Sequence, residues 1–172
     1  MEKTRLSSSE KIIFLHSTDL CAGLSAEVTE AISSITEECN YEADEILFHE
    51  GDTGDSLYLL VDGGVSIQKD ETSILMITQP GICIDEMAIL EKNTARSATV
   101  KATEATKLLR ILRHDFIDLL EWDFQAIEGV FRMLNAKLRS DLKSLSTNIG
   151  EEAACQESMR IAKTVQQSVT TK

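Results

Sequence analysis

Two short stripes of apolar residues at helical spacing open the chain. Ile12, Ile13 and Leu15, with His16 near the end, follow Ser9 and suit a first amphipathic helix. Val28, Ala31, Ile32 and Ile35 form a second stripe behind Ser25, whose hydroxyl can cap the first turn. From Cys39 the period shortens to two. Ile46 and Phe48 alternate with Leu47 and His49, and Gly51-Asp52-Thr53-Gly54-Asp55 makes a tight connection. The spacing predicts strands over Ser56 to Val61 and Val65 to Gln68, joined as a hairpin at Asp62-Gly63-Gly64. Asp70-Glu71-Thr72-Ser73 turns the chain into a further strand, Ile74 to Thr78, and Ile82-Cys83-Ile84 is a short apolar run. Ala98 to Ala102 and Lys107 to Leu112 read as a final strand pair around Thr103-Glu104-Ala105. Asp115 then caps a short helix, Phe116 to Glu121. Over 123–146, Ile127, Phe131, Leu134, Leu138 and Leu145 make a near-heptad seam interrupted by Asp141. Many short strands with Gly-rich turns predict an antiparallel roll or barrel.

Composition narrows the function. With 172 residues and 42% hydrophobic content, the chain fits one domain with a real core. A formal net charge of −12 and the lack of a dense Lys/Arg cluster argue against a nucleic-acid partner. No apolar run reaches the roughly 20 residues of a membrane span, and MEKTRLSSSE lacks a signal-peptide pattern. Cys21, Cys39, Cys83 and Cys155 are scattered, as expected of reduced thiols in a cytoplasmic protein with no metal site. His16, His49 and His114 lie far apart, and no nucleophile elbow or Walker loop is present. The acidic residues Glu45, Glu50, Asp52 and Asp55 lack calcium-loop spacing and read as a solvated face. The expectation is a protein that is not an enzyme. Residues 147–172 form a polar tail, with a weak helical stripe at Ala154, Ile161 and Val165.

The stretch from Pro80 to Val100 concentrates the chemistry. After the Pro80-Gly81 turn, Asp85 can cap a short helix, Glu86 to Leu90. The first-turn N–H groups near Met87 and Ala88 would then face an anion with the positive end of the helix dipole. Beyond the polar loop Glu91 to Ala95, Arg96 offers a two-pronged contact to a phosphate. Glu86, acceptor-only when ionised, suits a sugar hydroxyl. The competing reading makes Glu86 and Arg96 a structural ion pair on a loop.

Asp85-Glu86-Met87-Ala88-Ile89-Leu90 followed by Arg96-Ser97-Ala98-Thr99 resembles the phosphate-binding cassette of the cyclic nucleotide-binding domain family. The motif Glu50-Gly51-Asp52, then Gly54-Asp55, Leu57-Tyr58 and Gly63 to Val65 also resembles the first half of such domains, as does Gly23-Leu24-Ser25 before the second helix. The Glu86-to-Arg96 interval and the Arg-Ser-Ala triplet look more like the bacterial catabolite-activator branch than the kinase branch. The likeness spans roughly Leu15 to Leu145.

The resemblance implies an α+β fold: an antiparallel β-roll, jelly-roll-like, with N-terminal helices, a short cassette helix and a C-terminal helical lid. It implies a binding domain over 1–146, with 147–172 as a tail too short for the DNA-binding domain of the transcription factors. Glu86 would hold the ribose hydroxyl and Arg96 the cyclic phosphate, with Ser97 as an extra donor and Asp85, Met87, Ala88 and Ala98 lining the ligand. Leu59, Val61, Leu75, Ile84, Arg139 and Asp141 are the candidate base contacts, and Arg132 is a weaker one. The ligand would be cyclic AMP in preference to cyclic GMP, with no cofactor. The partner would be an effector protein or parent-chain domain, or a second copy through the 123–146 helix. The alternative is a ligand-free member acting in assembly. Asp85 stands where the family usually has Gly. A carboxylate ~4 Å from a phosphodiester would cost on the order of 4 kcal/mol at an effective dielectric of about 20, and turning outward as the helix cap would spare that cost.

Overall fold

The computed structural model describes residues 5–122 and, beyond them, Phe124, Ile127, Glu128, Phe131, Arg132, Asn135 and Arg139, all seven helical. The chain divides into two compact units, Met1–Met133 and Leu134–Lys172. Of the second, Asn135 and Arg139 are described, both exposed. Leu134, Leu138, Asp141, Leu145 and the 147–172 tail lie outside the described residues.

Helix α1 (Ser8–His16) starts at a capping box, in which Ser7 Oγ accepts from Glu10 N–H and the Glu10 carboxylate accepts from Ser7 N–H. Helix α2 (Ala26–Ser34) is capped by Ser25, as its sequence predicts, and buries Val28 and Ile32. Eight strands follow: β1 (Thr36–Tyr41), β2 (Ile46–Phe48), β3 (Ser56–Asp62), β4 (Val65–Lys69), β5 (Thr72–Ile77), β6 (Cys83–Ile84), β7 (Thr99–Ala102) and β8 (Thr106–Leu112). The four-residue helix α3 (Met87–Leu90) lies between β6 and β7, and α4 (Arg113–Trp122) follows β8. Asp115 falls inside the first turn of α4, two residues past its start, so it does not cap that helix as the sequence had suggested.

The strands form two antiparallel four-stranded sheets, in the orders β1-β8-β3-β6 and β2-β7-β4-β5. The expected α+β roll is what the chain builds, but its connections differ from the expected hairpins. Asp62-Gly63-Gly64 carries the chain from one sheet to the other, because β3 pairs with β8 and β6 while β4 pairs with β5 and β7. Strands β7 and β8 likewise belong to different sheets. The two crossings lie against each other: Thr106 Oγ1 donates to Gly64 O at 2.9 Å, and Thr103 N–H donates to the same carbonyl at 2.9 Å. Gly63, at φ +87°, leaves no room for a side chain, since a Cβ there would sit 2.6 Å from Ala105 O. The hairpin within a sheet joins β4 to β5 through Asp70 and Glu71, both at positive φ, as a two-residue type I′ turn requires.

Two apolar layers sandwich the first sheet. Between the sheets lie Phe48, Tyr58, Leu60, Val65, Ile84, Val100 and Leu108. On the other face, strand alternation places Leu57, Leu59, Leu109 and Ile111, all at most 1% exposed, alongside the equally buried Leu15, Leu20, Ile32 and Phe116 of the helical segments. Each such side chain contributes about 1.5–3 kcal/mol through burial.

Candidate functional site

The interior of the roll contains one element that a hydrophobic core would not choose. Arg96, 4% exposed, lies between the sheets with its guanidinium carbon 4.1 Å from the centre of the Phe48 ring and 5.8 Å from that of Tyr58. Its Nη1 donates to Ser56 O at 2.9 Å, and Nη2 reaches Ser56 Oγ at 3.3 Å. Nη1 also donates to the Asp85 carboxylate. Asp55 Oδ1 stands 3.9 Å from Nη2, with its side chain mostly in solvent.

The backbone around Arg96 is clamped by the Gly51–Asp55 loop. Arg96 N–H donates to Asp52 O at 2.8 Å, Arg96 O accepts from Gly51 N–H at 2.9 Å, and Gly54 N–H donates to Thr94 O at 2.9 Å. Gly54 also brings this loop against α3, since a Cβ on it would meet Ala88 Cβ at 2.8 Å. Sequence reading treated this loop as a tight turn and missed that it is the frame of the arginine. Its signal was on view in the run Glu50-Gly51-Asp52-Thr53-Gly54-Asp55-Ser56, where two glycines and a serine precede Tyr58.

Glu86 is 6% exposed and sits at the start of α3, where its carbonyl accepts from Ile89 N–H at 3.2 Å. Asp85 does not cap that helix. Its backbone is left-handed at φ +58°, Glu86 takes the cap position, and the Asp85 side chain turns inward onto Arg96. Left-handed backbone is where Gly is most at ease and where Asp is tolerated among L residues. The first-turn donor expected at Ala88 is also committed, donating to Asp85 O at 3.2 Å.

The remaining predicted positions separate into groups. Ala88 and Ala98 are buried, Met87 is 41% exposed, and Ser97 is exposed beside Arg96. Among the candidate base contacts, Ile84 belongs to the inter-sheet core with Phe48 and Tyr58, whereas Leu59 lies on the opposite face of β3 from Tyr58 and Leu60. Val61 is half-buried, and Leu75 is 54% exposed on β5, opposite Ile67. Arg139 is exposed in the second unit, and Asp141 is outside the described residues. Arg132 donates through Nη1 to Ala22 O at 2.9 Å and pairs with Glu128.

Groups elsewhere offer little reactive chemistry. Burial pushes the Cys21 thiol up to about 11, so it is neutral at physiological pH. Burial, then Tyr58, pushes the Tyr41 phenol up to about 12. The acidic loop residues are engaged locally: Glu45 accepts from Glu42 N–H, Asp52 from His49 N–H, and Asp55 from the Ser56 hydroxyl, while Glu50 pairs with Lys69. Among the described residues, no group of three His, Cys, Asp or Glu could hold a metal ion, and no helix is long and apolar enough to cross a membrane.

A two-sheet roll with a buried arginine and a buried glutamate flanking a one-turn helix is the architecture of a ligand-sensing domain. The cyclic nucleotide-binding domain model matches residues 38–123, half of the chain, and the chain belongs to that family. The Cyclic AMP receptor protein of Thermus thermophilus is 30% identical over 102 residues, 57% of this chain and 47% of that protein. The cAMP-activated global transcriptional regulator CRP of Escherichia coli O157:H7 is 30% identical over 129 residues, 73% of this chain and 60% of the regulator. The chain therefore spans about half the length of these curated relatives. The crystal structure of Thermus thermophilus catabolite activator protein superposes with a TM-score of 0.64 at 27% identity, over 75% of this chain and 62% of that one. A cyclic nucleotide-binding domain from Methylobacillus flagellatus shares the fold, with a TM-score of 0.68 at 24% identity over 80% of this chain and 79% of that one.

Proposed function

We propose that this chain is a non-catalytic regulatory module that binds a cyclic nucleotide, cyclic AMP in preference to cyclic GMP. Arg96 takes the cyclic phosphate and Glu86 accepts from the ribose hydroxyl. Met87, Ala88, Ser97 and Ala98 line the ligand, and movement of the helix after Trp122 carries the signal to an effector protein or a parent-chain domain. One observation carries this reading. Arg96 is a buried cation, fixed by Ser56 and two aromatic rings, with Glu86 buried beside the same one-turn helix. A desolvated guanidinium binds an anion far more strongly than an exposed one. The cyclic AMP named in the relatives' descriptions favours that ligand. The net charge of −12 favours a partner other than nucleic acid. Cytoplasmic residence is part of the same proposal.

A second reading has its own observation. Because Asp85 already neutralises Arg96, the domain can hold its shape without a ligand and act in assembly, including as a homodimer through the 123–146 helix. Isothermal titration calorimetry with cyclic AMP and cyclic GMP decides between them. The sensor reading expects micromolar or tighter binding of cyclic AMP, weakened about a hundredfold, roughly 2.7 kcal/mol, by Arg96→Ala. Glu86→Gln should weaken cyclic AMP while leaving the fold intact by circular dichroism. No heat with either nucleotide at millimolar concentration would overturn it in favour of assembly.

A further inference from the structure

Arg96 is not an empty anion site in this protein, and what fills it is built into the chain. Among the described residues, the Asp85 carboxylate is the one charged partner within direct hydrogen-bonding reach of the guanidinium, and the bond runs through a single nitrogen, Nη1. Nη2 is held by Ser56 Oγ, with Asp55 farther off at 3.9 Å. Nε, fully buried, has no hydrogen-bond partner among the described residues. Arginine offers five donors in a rigid fork; Nη1 gives its two to Ser56 O and Asp85 and Nη2 gives one to Ser56 Oγ, which leaves Nε and one Nη2 donor unused among the described residues.

The two partners are also unequally held. The Arg96 side chain is 3% exposed and is gripped by Ser56, Phe48 and Tyr58 independently of Asp85. Asp85 is 17% exposed, and its side chain has no other hydrogen bond among the described residues. If the pair opens, the carboxylate moves to water and the guanidinium stays in place. Its backbone, at φ +58°, is the conformation in which a glycine would sit without strain.

We propose that Asp85 is a resident counter-ion of Arg96, which an incoming cyclic phosphate must displace, so that Asp85 sets the affinity of the site. This rests on the cyclic-nucleotide reading above. Phosphate and carboxylate compete for one guanidinium, and the pair stays together only while its own contact outweighs the ligand's. The phosphate has the advantage of two-point contact; Asp85 has the advantage of being tethered. Ligand binding is therefore coupled to release of the Asp85 side chain, and removing its charge removes the competitor.

The test is calorimetric titration of cyclic AMP into the full chain and its Asp85→Asn and Asp85→Gly variants, with thermal melts of each by circular dichroism. Asp85→Asn keeps the size and the tolerance of positive φ while removing the charge; Asp85→Gly also relieves the backbone. Both should bind cyclic AMP about tenfold to a hundredfold more tightly than the parent, the span of a typical coupling between sites. Without ligand, Asp85→Asn should melt below the parent, because Arg96 loses its counter-ion, and saturating cyclic AMP should raise its melting temperature more than the parent's. Equal affinity in all three folded proteins would overturn the displacement while leaving the nucleotide reading intact. Weaker binding by Asp85→Asn would show that Asp85 helps hold the ligand and would overturn it equally. If none of the three binds, the nucleotide reading fails, and the displacement falls with it.

Discussion

Two of the arginine–carboxylate pairs among the described residues differ in almost everything except their chemistry. Arg96 and Asp85 meet inside the roll with side chains 3% and 17% exposed. Arg110 and Glu37 face each other across β8 and β1 with side chains 35% and 55% exposed. The second has the better geometry, because Glu37 Oε2 accepts from both Nε and Nη2 of Arg110. Among the described residues, the first has one charge-assisted hydrogen bond and an idle buried donor, Nε. Burial rather than bond count decides which pair matters. A charge removed from water is costly unless countered, so a buried pair couples strongly to whatever replaces its partner, while an exposed pair exchanges with solvent at little cost. Glu38 and Lys107, on the same two strands, have side chains 1% and 19% exposed, as buried as the first pair.

Breaking the buried pair from the arginine side should have the largest effect. Arg96→Met removes the contacts to Ser56, the face-on packing over Phe48 and the counter-charge of Asp85 together. The expected loss is about 3 kcal/mol, as for other buried pairs stripped of one partner. Adding Asp85→Asn should recover part of it, because the stranded carboxylate is then gone. The non-additivity should fall within about 0.5–3 kcal/mol. Urea denaturation of the four proteins measures it. Strict additivity would mean that the two side chains do not feel each other.

That pair also marks where sequence reading stops. Short apolar runs such as Ser56 to Val61 and Lys107 to Leu112 announced their strands, and Ser25 announced its helix, because those signals are local. Strand β1 was missed: TEECNY is polar, and as an edge strand it pairs with β8 alone. Asp62-Gly63-Gly64 read as a hairpin because its residues fit a tight turn, yet the partner of a strand is set by packing from afar, here by Thr106 on the opposite crossing. Around the proposed site, Glu86 and Arg96 were singled out by their spacing, and both are buried. The inward turn of Asp85 was not. It depends on the sign of one backbone angle and on a guanidinium eleven residues away, and the same residue is equally good as a helix cap.

The Glu38–Lys107 pair can be read by pH. Burial pushes the Glu38 carboxyl up and is the largest single influence. Leu6 N–H at 2.8 Å, Lys107 at 3.2 Å and Asn40 at 3.4 Å together outweigh it and hold the group below its ordinary value. A carboxyl lowered on folding contributes stability that is fully present above its unfolded value of 4.5 and is lost as pH falls through the lower folded value. Glu38→Gln should therefore cost about 2 kcal/mol at pH 7 and flatten the acid limb of the stability curve below pH 4.5. Parallel acid limbs for the two proteins would show that Glu38 does not drive this loss.

The smallest effect is expected at Arg110. The Glu37 hydrogen bond raises the Arg110 guanidinium above its ordinary value, but both side chains remain wet. Glu37→Ala should cost less than about 1 kcal/mol, and the difference should shrink further in roughly 1 M salt, where the screening length falls to about 3 Å. The informative failure is a large loss. Arg110 lies opposite Tyr58 in the β3–β8 register, and Tyr58 is one of the two rings beneath Arg96. A cost above about 2 kcal/mol that persisted in high salt would exceed anything a surface pair supplies. It would mean that Glu37 steadies the wall of the same interior in which Arg96 and Asp85 meet, and that exposure alone does not separate the two pairs.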